Sequence, residues 1–186
     1  APFHGIRMPP RKQIASVRAC VLALEGLCDA LQRKLPDEAW FCGATAAVIM
    51  GIPLPARLEQ SRTLHVAVTP PHRTPRGRGV RGHTFTADAN DVRLWHGIRF
   101  SSPERVWCEL ASTRDLPDLV AAGDYLIQHR LPSTIPGKLA DAVALFPGRR
   151  GIRMLQSALP LLHDRSESRQ ESRLRVIWQA MQDCVA

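Results

Sequence analysis

The stretch TLHVAVTPPHRTPRGRGVRGHTFTA, residues 63–87, decides how the chain is read, because its two ends carry a period of two and its middle carries none. In TLHVAVTP, Leu64, Val66 and Val68 alternate with Thr63, His65 and Ala67, the pattern of a half-buried strand. GHTFTA, residues 82–87, reads as a second short strand. Between them, HRTPRGRGVRGH (72–83) sets Arg73, Arg76, Arg78 and Arg81 among glycines and a proline, a composition that resists helix formation. Two readings of this segment stand side by side. It is either an arm whose guanidinium groups hold nucleic-acid phosphates, or a well-solvated hairpin connection.

Downstream, DVRLWHGIRFSS (91–102) predicts a hairpin turning near His96 and Gly97. Three or four short strands in succession predict an antiparallel meander. Helical spacing surrounds it. Ile14, Val17, Val21, Leu24, Leu27, Leu31 and Leu35 mark a helix from about Lys12 to Lys34 that Pro36 stops. Trp40 and Phe41 read as a short extended segment, and GATAAVIMGIPLP as a small-residue helix over about 44–50 ended by Gly51 and Pro53. After the hairpin, Ser102 as N-cap, Pro103 in the first turn and Glu104 at the positive end of the dipole start another helix. Further helices are expected over about 116–129, 138–146 and 151–159. The fold class that follows is α+β, a small antiparallel β-meander flanked by several α-helices.

The polar stretch HDRSESRQ (163–170) reads as a linker. Beyond it Leu174, Ile177, Trp178 and Met181 form one stripe of a helix that either packs on the main domain or opens another. The opening APFHGIRMPP reads as the end of a hairpin strand. The expected organisation is therefore a wing-strand remnant over 1–11, a central α+β domain over 12–162, a linker over 163–170 and the first helix of a truncated further domain over 171–186.

The chain has 186 residues, 45% of them hydrophobic, enough for an ordinary core without metal or disulfides. Its formal charge of +8 comes mainly from arginine, since Lys12, Lys34 and Lys138 are the only lysines. An arginine excess favours phosphate-bearing partners, because the planar fork binds phosphate bidentately. A GC-rich genome raises Arg, Ala, Gly and Pro together and is an alternative source of the same bias. A second basic cluster, Arg149, Arg150 and Arg153, surrounds a helix start at Gly151, where backbone N–H groups can assist an anion. Its alternative is a plain charged turn.

The five cysteines at 20, 28, 42, 108 and 184 form no CxxC pair and no zinc spacing. They read as reduced core residues, which points to a cytoplasmic protein. The seven histidines have no i, i+4 pairing with one another or with a carboxylate on a helix. No GxSxG, phosphate-cradling loop or paired-Asp motif occurs, so no catalytic residue, metal ligand or cofactor is assigned. No apolar run reaches spanning length, and neither membrane insertion nor secretion is expected.

The order FHGIR, GATAAVIMGIPLP, LHVAVTPPHR, RGVRGHTF, DVRLWHGIRFSSPERVWCELA, DLVAAGDYLI, PGRRGIRMLQSALPLL and SESRQESRLR resembles actinobacterial proteins with an AbiEi-type antitoxin module, over nearly all of residues 3–175. That resemblance implies an N-terminal winged helix before such a domain and, in many members, a part similar to very-short-patch-repair endonucleases after it. It implies a DNA-associated regulator that represses its own toxin–antitoxin operon and counters a nucleotidyltransferase toxin indirectly, without a direct complex. Set against that family pattern, Phe3–Arg7 looks like the last wing strand of the winged helix and 171–186 like the first helix of the nuclease-like part. Glu171 matches a position that assists metal binding in the nuclease family, while the acidic pair and lysine of that core have no counterpart. The competing expectations are a truncated endonuclease whose central domain is a DNA-binding scaffold, and an inactive remnant.

Overall fold

The computed structural model describes residues 17–88, 90–146 and 150–184. The wing strand expected over 1–11 and the start of the first helix, 12–16, lie outside these residues. The fold is α+β, with α-helices and one five-stranded mixed sheet. Two compact units are distinguished: 17–51 with 56–102, and 52–55 with 103–184.

The first unit holds helices α1 (Val17–Gln32), α2 (Gly43–Ile49) and α3 (Ala56–Glu59), and strands β1 (Trp40–Phe41), β2 (Leu64–Val68), β3 (Val80–Thr84), β4 (Val92–Trp95) and β5 (Ile98–Ser101). In α1, Leu24 and Leu31 of the stripe read from the sequence are buried, together with Cys28. Trp40–Phe41 is indeed extended, and it forms the centre of the sheet, whose order is β3-β2-β1-β5-β4.

The antiparallel meander is corrected by the structure. β2 and β3 are parallel neighbours, pairing Leu64 with Val80 through Val68 with Thr84. β1 is antiparallel to β2 and parallel to β5. Only β4 and β5 form the expected hairpin, turning on His96 (φ 47°) and Gly97 (φ 78°). Side-chain alternation has the same period in either strand direction, so the alternating pattern carries no information on polarity. Direction is decided by residues 69–79, which return the chain along the whole length of β2. The Leu64 N–H then donates to the Gly79 carbonyl at 2.8 Å, closing the crossover beside the start of the strand it left.

Paired residues alternate between two faces. One face carries Phe41, Leu64, Val66, Val68 and Phe100, all buried, with Phe41 and Phe100 ring centroids 5.6 Å apart. The other carries buried Trp40, Cys42 and Ala67, covered by Phe85, Ala87 and Val92. Trp40 is anchored there by its indole N–H, which donates to Ser101 Oγ at 3.1 Å.

The second unit comprises α4 (Pro103–Leu110), α5 (Leu116–Ile127), α6 (Pro136–Leu145), α7 (Ile152–Ala158), a 3-10 turn over Leu159–Leu161 and α8 (Arg169–Asp183). Trp107, Leu110, Leu119, Leu126, Leu139 and Leu155 are buried in it. Asp115 caps α5, accepting from the Asp118 N–H at 2.8 Å. Within this unit α8 lies along α5. The polar stretch before it is tied down as well, since the His163 N–H donates to Asp124 Oδ1 at 2.7 Å.

Candidate nucleic-acid interface

Residues 69–79 position the arginines. Close approach to β3 holds this crossover in place. A Cβ at Gly82 would press into the Pro75 carbonyl oxygen and stand 2.9 Å from Thr74 Cβ. The crossover's far end is a tight turn, in which the Val80 N–H donates to the Gly77 carbonyl at 3.1 Å and Gly79 takes φ 76°. At the near end the His72 N–H donates to the Thr69 carbonyl at 3.1 Å. The glycines read from sequence as breakers of regular structure therefore have distinct duties: Gly79 supplies a left-handed turn and Gly82 a close crossing.

Arg73, Arg76, Arg78 and Arg81 are all exposed. For Arg73, Arg76 and Arg78 there is no ion pair or hydrogen bond among the described residues. Arg81 lies on the edge strand, where its charge acts on His83. The structure thus brings these four together on one crossover and its following strand, in the first unit. Arg150 and Arg153 are exposed in the second unit, beside Gly151 at φ 90°, and Arg149 lies outside the described residues.

Histidines and an aromatic join the basic strand, which the linear spacing did not reveal. In the parallel register, His65 pairs with Arg81 and Ala67 with His83, so His65, Arg81 and His83 face the same way. The His65 and His83 rings stack with centroids 5.1 Å apart, and His65 Nδ1 lies 3.0 Å from His83 Nε2. Phe85 also stacks on His83, with centroids 5.5 Å apart. Burial, reinforced by the Arg81 charge, holds His83 below the usual imidazole range. His65 itself is held at the sheet end, where its N–H donates to Thr45 Oγ1 at 2.8 Å. The only sequence signal for this cluster is the i, i+2 spacing of Arg81, His83 and Phe85; His65 joins them through the strand register alone.

Cys28, Cys42 and Cys108 are buried thiols outside any disulfide, and burial followed by the Glu25 charge pushes the Cys28 thiol up. Cys184 is exposed. Glu171 sits in the first turn of α8, where its carboxylate accepts from the Glu167 N–H at 2.9 Å and its own N–H donates to Ser168 Oγ at 3.2 Å. Among the described residues no three His, Cys, Asp or Glu side chains are grouped to hold a metal ion, and no helix is long and apolar enough to cross a membrane. Comparison with family models, with curated proteins and with solved structures gives no match.

Proposed function

We propose that this chain is an AbiEi-like antitoxin and regulator module that associates with DNA through the phosphate backbone, contributes to repression of its own toxin–antitoxin operon and performs no catalysis. The DNA-binding part rests on one observation: the crossover presents exposed arginines, three of them without a protein partner among the described residues, from a backbone pinned at both ends. Guanidinium groups not already committed to carboxylates keep their charge for an external anion. A pinned backbone loses less conformational freedom on binding than a loose arm. Phosphate contacts of this kind position a protein on a duplex without reading its sequence. The antitoxin assignment is supported by the ordered motifs of residues 3–175, and its indirect action on a toxin follows from that resemblance.

The test is the salt dependence of duplex binding. The parent should bind with a steep salt slope and little sequence preference. Converting Arg73, Arg76, Arg78 and Arg81 to Gln should flatten the plot of log K against log salt by up to about 3 to 4 units, at roughly 0.9 per phosphate contact. Unchanged affinity and slope in the quadruple variant would reduce the segment to a strand connection.

A further inference from the structure

His83 lies two residues beyond Arg81 on the same face of β3, and its ring meets His65 across the parallel register with 3.0 Å between Nε2 and Nδ1. At that separation the two facing nitrogens share one hydrogen. A neutral pair therefore holds one proton in the gap and one on an outward nitrogen. One more proton can occupy the remaining outward nitrogen with the gap unchanged. A further one would force two N–H groups against each other. The pair can thus take up a single proton and keep its contact, and in that state His83 Nδ1 is a donor whichever ring holds the gap hydrogen, whereas in the neutral pair it donates in one tautomer alone. Among the described residues nothing bonds that nitrogen.

On β3 the neighbouring charge is Arg81; β1, β2 and the seven-residue α2 contribute no carboxylate, and Cys42 is the one other titratable group following β1.

We infer that Arg81 and His83 form a phosphate-binding corner on β3, with His65 as a positioning residue, and that a phosphate bound there takes up one proton with it. Arg81 supplies the fixed charge and His83 Nδ1 the second donor. In the free protein, burial and Arg81 disfavour the imidazolium. A phosphate against Arg81 offsets that repulsion, so anion and proton bind cooperatively. This rests on the crossover being a nucleic-acid interface only in the source of the phosphate; the shared chemistry is the phosphate group, as a backbone phosphodiester or as the free ion.

The experiment follows histidine ring resonances of the whole chain by NMR across pH, alone, with inorganic phosphate and with a duplex of about 20 base pairs, together with duplex affinity at pH 8, 7 and 6. His83 should titrate at higher pH when either probe is present. Duplex affinity should rise as pH falls, by at most about tenfold per pH unit for one linked proton. His83→Gln, whose amide can still donate toward His65 Nδ1, should remove that rise and keep the salt dependence of the crossover. Arg81→Gln should abolish the phosphate effect on His83. A His83 titration unmoved by both probes, or a pH dependence that survives His83→Gln, overturns the inference. If inorganic phosphate moves His83 in the parent and not in Arg81→Gln while the duplex fails to bind, the corner stands and the nucleic-acid reading falls.

Discussion

At Gly82 a single missing side chain determines where the arginine-bearing crossover can run. Its φ is not unusual; the constraint is the Pro75 carbonyl lying where a Cβ would go. Backbone cannot swing aside as a side-chain tip can, so Gly82→Ala should destabilise the protein by about 1 to 3 kcal/mol, the usual cost of overpacking. Denaturant titration measures this. His83 acts on the pH axis. Its folded pKa is depressed by burial and Arg81, so between the folded value and about 6.5 the unfolded chain binds more protons than the folded one. The contribution of His83 to stability is thus fully present above about pH 6.5 and is lost as pH drops through that window. Thermal unfolding compared at about pH 8 and 5.5 should show a smaller acid loss in His83→Gln than in the parent. An equal loss in both would place the acid sensitivity elsewhere.

At the scale of elements, α8 turns its polar side inward. Leu174, Ile177, Trp178 and Met181 are exposed, while Ser172 and Val176 are buried. Charge is the reason. Asp124 of α5, 1% exposed, accepts from Ser172 Oγ at 2.7 Å and Arg175 Nη2 at 2.6 Å. Asp118 accepts from Arg169 Nη2 at 2.7 Å and also pairs with Arg173. A buried carboxylate must keep its donors, so α8 is oriented by where those donors lie rather than by its apolar stripe. Asp124→Ala should cost about 3 kcal/mol, toward the lower end for a broken buried pair because Arg175 can rehydrate. The companion test separates the faces: Trp178→Gln should stay within about 0.5 kcal/mol, whereas Val176→Ala should cost about 2 kcal/mol. Comparable losses would mean that the stripe is the packed face.

At the scale of the whole molecule, each unit has its own apolar interior, built on Phe41, Phe100 and Val66 in the first and Trp107, Leu119 and Leu139 in the second. Neither interior draws on a disulfide among Cys28, Cys42, Cys108 and Cys184. Chelator and reductant should leave the thermal midpoint within experimental error of the untreated protein; a marked drop with either would reveal a linked metal or crosslink.

Most helices and the β4–β5 hairpin are legible in the order of residues, whereas α3 and the start of β3 at Val80 are not. The α1 stripe, the β4–β5 hairpin at His96 and Gly97, and the helices after Ser102 are legible because they depend on neighbours three, four or two residues away and on local turn chemistry. The exposed arginines were legible for the same reason, as charge in a glycine-rich run. Only the tertiary structure decided that β2 and β3 run parallel, since alternation is blind to direction. It alone joined His65 to His83, because a contact made through strand register leaves no mark in linear spacing. It also set α8 with its apolar stripe outward, because hydrophobic pattern records which residues share a face, whereas the buried Asp118 and Asp124 determine which face is held.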